Sequence, residues 1–395
     1  MYVTRRLSEY QRNPLELEQR PPEGPNSGVL VIQDEESRPL SCFGLCYGQD
    51  LKGLPFPQNA KLTVSYSDGD DSYHDPVLFI PVLDQPLSSN CYYVIIRRGK
   101  HSGEASASAK EEDRVPCCFC FNYVPEAKPR QADPYDIYQQ FEIHQRKSYY
   151  YSATSVAPDG INWRAGYSTS QDFGLIDDAK GINTMLRSKL PGDFNTSVVV
   201  GKWYVPFIFV KERDAKAQIK KSTYYSMTLR QSWEEVYSCG NLDYKKENGE
   251  VVVDVEIESE LVKLEGQVIG KEIRGVDENG VVWFEIAGKK IGLRTMVVER
   301  MKWEEERFGW SKETDDIKSS IKRSERFEGD AMLWQSYKCY VLVESFELKR
   351  MDGSLVLTFE FRHIERTSSI SGGDSNWNSY RLYVLVGELC VEEKG

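Results

Sequence analysis

The sequence feature that most constrains the fold is the dipeptide Asp352–Gly353, which separates two segments of alternating apolar and polar residues. Asp-Gly is typical of two-residue hairpin loops, because these loops need positive φ angles that glycine adopts without strain. A two-residue loop sets four cross-strand pairs: Leu348–Leu357, Phe346–Phe359, Lys349–Val356 and Glu347–Thr358. In this register the apolar sides of both strands lie on one face, so we predict a long antiparallel hairpin with one buried side.

Two more strand patterns lie near this hairpin. Apolar residues alternate with polar ones from Val251 to Ile257, as in a strand with one buried face. Asn279–Gly280 marks a second hairpin, and a two-residue loop there places Val276 opposite Trp283 and Arg274 opposite Glu285. Residues 380–391 are predicted to form another strand.

One helix is predicted between the two hairpins. Val297, Met301 and Phe308 lie on one helical face, and the pairs Arg300–Glu304 and Lys302–Glu306 have the four-residue spacing that stabilises helices. The charged residues 311–330 are predicted to be a loop. Residues 245–395 are therefore predicted to form a mainly antiparallel β domain with one helix.

The first 244 residues mix strand and helix patterns. Segments rich in β-branched and aromatic residues predict strands over 28–33, 61–66, 77–83, 92–96 and 198–210. Helices are predicted after Asp133–Pro134, over residues 175–190, and from a Thr228–Gln231 capping box to Gly240. We therefore expect an α+β fold, with a mixed α+β domain over 1–244 and a boundary in the polar segment 241–249.

Composition limits the possible partners and compartments. The 395 residues carry 50 basic and 61 acidic side chains, a net charge of −11, which disfavours nucleic acid as a partner. The most apolar window, residues 198–210, is too short to span a bilayer. Nine cysteines without a dense repeat, and an N-terminus without a signal peptide's apolar region, predict a cytoplasmic protein with reduced thiols.

Five cysteines are candidate zinc ligands. Cys42 and Cys46 flank three residues, and Cys117, Cys118 and Cys120 form a Cys-Cys-x-Cys cluster. Both segments are apolar and are predicted to be buried strands, whereas structural zinc sites usually present paired cysteines on tight turns. We predict buried free thiols and assign no metal ligand or cofactor, although zinc binding by these five residues stays open.

No catalytic residue is assigned from the sequence. The four histidines, His74, His101, His144 and His363, have no sequence pairing with a cysteine nucleophile; His101 is predicted to lie in a polar loop and His363 to be structural. The acidic residues 67–72 are predicted to form a hairpin tip, because their spacing does not match a calcium-binding loop. The acidic runs 304–306 and 315–316 are predicted to face water.

The hairpin over residues 340–364 also has the length and alternation of the hairpins that β-pore-forming toxins insert into membranes. A half-buried sheet in a globular domain has the same pattern. Glu344 would lie on the lipid-facing side, where a carboxylate is costly, so the pore-forming interpretation is an alternative only.

Several longer strings resemble a known family. They are 21–36 (PPEGPNSGVLVIQDEE), 54–59 (LPFPQN), 79–90 (FIPVLDQPLSSN), 155–160 (SVAPDG), 201–212 (GKWYVPFIFVKE), 300–310 (RMKWEEERFGW) and 348–357 (LKRMDGSLVL). These strings are similar to a plant-specific family with a domain of unknown function, whose members often carry an automatic label of insecticidal crystal toxin. The resemblance implies a plant source and a role in stress or defence, and it brings no catalytic residue.

These observations predict a cytoplasmic, non-catalytic binding or regulatory module. Its partner is expected to be a protein, because 23 tyrosines and 8 tryptophans are available for an interface. The alternatives are a membrane-active, pore-forming-like β-protein and an enzyme whose site is assembled from distant residues. The ligand and the oligomeric state stay open.

Overall fold

Strands dominate the protein. The computed structural model describes residues 1–21, 24–38, 40–41, 46–47, 53–68, 71–117, 121–147, 150–160, 166–173, 177–212, 214–240, 250–269, 275–310, 318–326, 336–372, 381–386 and 389–394. Four α-helices lie among these residues: α1 (Leu7–Arg12), α2 (Thr184–Lys189), α3 (Ala215–Lys221) and α4 (Thr295–Glu306). The fold is therefore mainly β, and a mixed α+β domain over residues 1–244 is not clearly present.

The strands are distributed along the whole chain. Up to residue 240 they are β1 (Tyr2–Arg6), β2 (Gly28–Ile32), β3 (Leu40–Ser41), β4 (Cys46–Tyr47), β5 (Ala60–Asp68), β6 (Asp71–Pro81), β7 (Cys91–Ile96), β8 (Glu104–Ala105), β9 (Val115–Cys117), β10 (Phe121–Tyr123), β11 (Arg130–Gln131), β12 (Gln140–Lys147), β13 (Tyr150–Ser155), β14 (Gly166–Phe173), β15 (Gly181–Ile182), β16 (Val198–Pro206), β17 (Val210–Lys211) and β18 (Tyr224–Gly240). After it they are β19 (Glu250–Glu258), β20 (Glu260–Leu264), β21 (Gln267–Val268), β22 (Gly275–Val276), β23 (Val281–Ile286), β24 (Lys289–Arg294), β25 (Lys318–Arg326), β26 (Ser336–Arg350), β27 (Leu355–Gly372), β28 (Arg381–Val386) and β29 (Leu389–Lys394).

A nine-stranded sheet forms the centre of the molecule. Its order is β2-β1-β16-β18-β26-β27-β20-β21, and β15 pairs with β16. The strands β18, β26 and β27 are long, with 17, 15 and 18 residues. Strands from both sides of residue 245 share this sheet. Whether residues 1–244 and 245–395 fold as separate units stays a prediction, which expressing each segment alone would test.

Three of the six smaller sheets among the described residues pack around the central one. An eight-stranded sheet has the order β11-β8-β7-β6-β5-β14, with β12 pairing β7 and β13. A four-stranded sheet has the order β17-β24-β23-β22. The strands β19 and β25 form a two-stranded sheet, whose Val251, Val253 and Ile321 are buried with residues of β26.

The largest apolar core joins the central sheet to both larger neighbours. It contains Trp203 and Phe346 from the central sheet, Ile80 and Tyr93 from the eight-stranded sheet, and Phe284 from the four-stranded one. The opposite face of the eight-stranded sheet has its own core around Phe56, Phe79 and Tyr92. No helix in the described part of the chain combines the length and apolar character needed to cross a membrane.

The hairpin at Asp352–Gly353 is confirmed. Leu348 pairs with Leu357, Phe346 with Phe359 and Glu347 with Thr358, as predicted. The fourth pair is wrong: Lys349 faces Leu355, because the register shifts beside the turn. Gly353 has φ of 84°, and Arg350 and Ser354 close the turn through a backbone hydrogen bond of 2.9 Å, so the loop is one residue longer than predicted.

The hairpin at Asn279–Gly280 is present, but its register is wrong by one residue. Trp283 pairs with Gly275, and Val276 pairs with Val282. The Asp277 carboxylate accepts backbone N–H groups from Asn279 and Val281, at 2.9 and 3.0 Å, and so lengthens the loop. The predicted partner of Glu285, Arg274, lies outside the described residues.

Two of the predicted N-terminal helices are wrong, and one is shorter than predicted. Thr228–Gly240 is part of strand β18, where side-chain burial alternates. After Asp133–Pro134 there is only a 3-10 turn, Ile137–Gln139, which Asp136 caps before strand β12. Of the helix predicted over 175–190, α2 forms six residues, from Thr184 to Lys189, and Pro191 follows its end.

Most of the other predicted strands and the C-terminal helix are confirmed, and two further predictions differ from the structure. The predicted strands over 28–33, 61–66, 77–83 and 92–96 are confirmed as β2, β5, β6 and β7, and that over 251–257 as β19. Residues 198–210 form β16 and the start of β17, separated by the 3-10 turn Phe207–Phe209. The helix around Val297 is confirmed as α4. The loop predicted over 311–330 contains strand β25, and the single strand predicted over 380–391 is divided into β28 and β29.

Candidate ligand-binding cleft

A cleft of about 450 Å³ lies where the four-stranded sheet meets the turn between β11 and β12. Its size is within the range of about 300–1,000 Å³ that is usual for small-molecule sites. Residues 130–139 form one wall, the strands β23 and β24 form the other, and Lys211 at the end of β17 lies between them.

The floor of the cleft is a row of residues across three strands. Lys211 pairs with Gly292, and Gly292 pairs with Trp283. Cross-strand neighbours project from the same face of a sheet, so Lys211 and Trp283 flank a position that has no side chain. A Cβ atom at Gly292 would lie 2.6 Å from Val281 Cγ1 and 2.9 Å from the Trp283 ring. The glycine therefore keeps this part of the floor open.

The wall formed by residues 130–139 is held by one amide side chain. Gln139 is buried; its Oε1 accepts the Asp133 N–H at 2.8 Å, and its Nε2 donates to the Gln131 carbonyl at 3.0 Å. Asp136 caps the turn by accepting the Tyr138 N–H. These bonds satisfy backbone groups of an irregular segment and position the Ala132 carbonyl towards the cleft's cations.

The carboxylates that line the cleft already have donors. Asp277 accepts the Trp283 indole N–H at 2.8 Å besides its two backbone bonds. Asp136 accepts two bonds from Arg130, of 2.6 and 3.1 Å. Glu212 forms a bidentate pair with Arg350 outside the cleft. Because these oxygens are engaged, the carboxylates leave little capacity to bind an added cation.

The two lysines of the cleft have weaker contacts than its carboxylates. Lys211 Nζ donates one long bond of 3.4 Å to the Ala132 carbonyl, and Lys290 Nζ lies 4.5 Å from the centre of the Trp283 ring. Among the described residues, neither lysine has a carboxylate within ion-pair distance. Arg294 is buried and contacts Asp133 at 3.2 Å and the Asn279 and Ala132 carbonyls. Its Nε has no hydrogen-bond partner in the part of the chain that the structure describes.

The environment of Lys211 lowers the pKa of its ammonium group. Burial and the nearby Arg294 guanidinium lower the pKa of the Lys211 ammonium to about 8, although Asp133 and Asp277 oppose this shift. Two cations that share the Ala132 carbonyl repel each other in a poorly hydrated place. An anion placed between them relieves that repulsion, so the cleft is electrostatically suited to a negatively charged group.

A second group of polar residues lies away from the cleft, within the central sheet. We name it the buried charge cluster, and it consists of Arg187, Glu305, Glu344 and His363. Arg187 Nε donates to Glu344 at 2.9 Å, its Nη2 donates to Glu305 at 2.9 Å, and its Nη1 donates to the Glu304 carbonyl at 3.1 Å. His363 Nε2 lies 2.9 Å from Glu305 and 3.3 Å from Glu344.

Four separate elements bring these side chains together. Arg187 is on α2, Glu305 is near the end of α4, and Glu344 and His363 are on the neighbouring strands β26 and β27. On β18, the cross-strand neighbour of Glu344 is Gln231, whose Nε2 donates to it at 2.8 Å. The cluster thus links both helices to the three longest strands of the protein.

The cluster holds a shared proton. Burial and the charge of Glu344 raise the pKa of Glu305 to about 8, whereas hydrogen bonds from His363 and Arg187 outweigh burial and lower that of Glu344. Burial opposes the charged form of His363, but its bonds to the two carboxylates raise its pKa. With one proton between His363 and Glu305, the four side chains have no net charge.

Glu305, Glu344 and His363 also place three metal-ligating atoms within 4.8 Å of one another. The Arg187 guanidinium donates to both carboxylates from the position where a cation would bind. His363 Nδ1 is buried and has no hydrogen-bond partner among the described residues, whereas a histidine that ligates a metal usually donates its second nitrogen. The donor set therefore fits an arginine-neutralised cluster better than a metal site.

The structure brings together few of the residues singled out from the sequence. Cys42, Cys118 and Cys120 lie outside the described residues, and Cys46 and Cys117 are in short strands whose side chains are not described, so their zinc binding is untested. His101 pairs with Glu104 at 2.6 Å, and His74 with Ser65 at 2.8 Å. The prediction that residues 304–306 face water is wrong for Glu304 and Glu305, which are fully buried; residues 315–316 are not described.

The cleft itself was not predicted, because its residues come from three distant segments. Asp133 was assigned to a helix start, and Lys211 opens a run of four charged residues, 211–214, that follows an apolar strand. Only the Asn279–Gly280 turn was recognised as an element. For the buried charge cluster there was a weak signal: Gln231 and Glu344 each interrupt a run of alternating apolar residues.

One family model matches part of the chain. A family described as "Protein of unknown function (DUF1262)" matches residues 23–119, in agreement with the resemblance to a domain of unknown function. No curated protein matches the chain. A solved structure titled "Crystal structure of Cry35Ab1" is similar with a TM-score of 0.42 and 13% identity, over 80% of this chain and 90% of that one. A likeness this weak supports no argument about function.

Proposed function

We propose that this protein is a non-catalytic binding module whose ligand is a small organic anion held in the cleft. The observation that carries the proposal is the pair of lysines, Lys211 and Lys290, which face the cleft without a described carboxylate partner. Arg294 lies at the base, where its guanidinium pairs with Asp133 at 3.2 Å. The Asp136 and Glu212 carboxylates pair with Arg130 and Arg350, so the positive charges of Lys211 and Lys290 are available to the ligand.

The size and chemistry of the cleft favour a molecule with an anionic end and a short carbon body. A space of about 450 Å³ holds a molecule of metabolite size. A nucleic acid would need an extended basic surface, and the chain has a net charge of −11. The ring of Trp283 and the side chain of Val281 offer apolar contact to the ligand's carbon atoms.

The proposal includes the wider role that the family resemblance implies. In this role the protein acts in the cytoplasm of a plant cell, in stress or defence, and a protein partner responds to the occupied cleft. The family resemblance supports this part of the proposal.

A ligand panel tests the binding function. Thermal unfolding is followed with 2-oxoglutarate, 2-hydroxyglutarate, phenyl phosphate, glucose and glycerol. We expect one or more of the anions to raise the unfolding temperature and the neutral molecules to have no effect, because a ligand that binds only the folded state stabilises it. Lys290→Met should lose about tenfold in affinity, whereas Lys318→Met, at a 70% exposed lysine outside the cleft, should lose none. No shift with any anion would refute the proposal.

The pore-forming alternative is disfavoured by the buried charge cluster. Insertion of the hairpin over residues 340–364 would expose Glu344 and His363 to lipid and separate them from Arg187. Such groups are costly in a bilayer. Dye release from liposomes at stoichiometric protein concentrations would overturn this interpretation, and we expect none.

A further inference from the structure

Lys211 has the surroundings of a reactive amine. Its Nζ makes one long hydrogen bond, to the Ala132 carbonyl, and Arg294 Nη2 donates to the same oxygen at 3.3 Å. The two cations are therefore within a few ångströms of each other at the base of a cleft that is open to small molecules. A lysine that is poorly hydrated and next to another cation loses its proton easily and becomes a nucleophile.

We propose that Lys211 forms an imine with the carbonyl group of a 2-oxo acid bound in the cleft. The inference rests on the proposed function, since the carboxylate of the oxo acid is the anion that Arg294 and Lys290 would hold. The carbonyl carbon next to that carboxylate then lies within reach of Nζ. The proposed ligands of the site are thus small oxo acids, and each would form one covalent bond, with Lys211 Nζ.

The chemical step needs no further reactant. The lone pair of the neutral Lys211 amine attacks the carbonyl carbon, and a C–N bond forms. The nitrogen loses its protons and the former carbonyl oxygen leaves as water, so that a C=N double bond remains. Hydrolysis reverses the step without oxidation or reduction, and the protein thus holds its ligand covalently but reversibly.

The other lysine of the cleft is a poorer nucleophile. Lys290 is exposed, and its Nζ lies 4.5 Å from the centre of the Trp283 ring. At a pKa of about 8, roughly a tenth of Lys211 is neutral at pH 7, compared with roughly one in 2,500 of an ordinary lysine. The reaction should therefore be selective for Lys211.

Reductive trapping tests the inference. The full-length protein is incubated with 2-oxoglutarate and sodium cyanoborohydride, whose hydride converts an imine into a stable secondary amine, and the modified lysine is identified by peptide mass spectrometry. 2-Hydroxyglutarate is the matched probe, because it has the same charges and length but no carbonyl group. Lys211→Arg keeps the positive charge and cannot form an imine, and Lys318→Arg is the control for an exposed lysine outside the cleft.

We expect the adduct on Lys211 in the wild type and in Lys318→Arg, its loss in Lys211→Arg, and no adduct with 2-hydroxyglutarate. If both acids bind in calorimetric titration but the adduct is missing, or is spread over exposed lysines, the inference is wrong and the proposed function stands. If neither acid binds the wild type, the anion-binding function fails for this ligand class and the inference fails with it. Because mapping uses the wild type, a folding defect of the variants does not affect the result.

Discussion

Replacing Arg187 by methionine should destabilise the protein more than any surface substitution. The arginine is 3% exposed and donates to two carboxylates and one carbonyl, while its guanidinium stacks on Phe308 at 4.0 Å. Methionine retains much of the apolar stem but removes the charge. The Glu344 carboxylate is then left in the interior without its main cation.

The expected loss follows from the burial of both carboxylates. Glu305 and Glu344 have no exposed surface, and removing one partner of a buried pair costs about 3–5 kcal/mol. The shared proton of His363 partly compensates Glu344, so we expect the lower end, about 3 kcal/mol. This is a large fraction of the total of about 5–15 kcal/mol that is typical of folded proteins.

Urea unfolding at pH 7, followed by tryptophan fluorescence, measures this loss. The control is Arg6→Met, at an arginine that is 54% exposed and pairs with Asp178 on the surface; it should change stability by less than about 0.5 kcal/mol. Adding Glu344→Gln to Arg187→Met should recover part of the loss, because the unpaired charge is removed. A loss below about 1 kcal/mol for Arg187→Met would refute the description of the cluster as a buried, mutually dependent set of charges.

Three further predictions concern protons and packing. The pKa of Glu305 is raised to about 8 and that of His363 is also raised, so the folded state holds a proton more tightly than the unfolded one, and stability should fall as the pH rises from about 4.5 through 8. Glu305→Gln should flatten this dependence in urea titrations at several pH values, and an unchanged profile would contradict the shared proton. Anion binding should weaken as the pH rises through about 8, because Lys211 loses its charge there. Lys211→Arg should remove this dependence in calorimetric titrations, since arginine stays charged. An equal decline in affinity in both proteins would exclude Lys211 as its cause. Gly292→Ala should abolish binding and cost about 1–3 kcal/mol of stability, because its Cβ would lie 2.6 Å from Val281 Cγ1; full affinity in this variant would place the ligand elsewhere.

The strand-rich fold could be predicted where the alternation of residues was uninterrupted. The hairpin at Asp352–Gly353 has apolar residues on one side of both strands, and three of its four predicted pairs are present. The fourth failed because a register shift beside a turn depends on a single backbone conformation. Alternation says which face is buried but does not give loop length.

The wrong helix prediction over residues 228–240 has a physical cause. In strand β18, Tyr225, Met227, Leu229 and Trp233 follow a period of two, but Gln231 breaks it and leaves a spacing that also fits a helix. Gln231 is polar because it donates to Glu344 in the buried charge cluster. The sequence pattern is therefore least regular where the sheet contains buried charges.

The cleft could not be predicted from local sequence, because it depends on the pairing of distant strands. Lys211 and Trp283 are 72 positions apart, and β24 brings them to one face with Gly292 between them. None of the three residues belongs to a motif with a spacing of its own. The pKa shift of Lys211 likewise depends on Arg294 and on burial, which are properties of the folded chain.

Calorimetric titration with 2-hydroxyglutarate tests the central claim most directly, since it measures anion binding without imine formation. The account predicts one site per chain in the wild type and in Lys318→Met, and about tenfold weaker binding in Lys211→Met and in Lys290→Met. Equal affinity in all four proteins would contradict the assignment of the ligand site to this cleft.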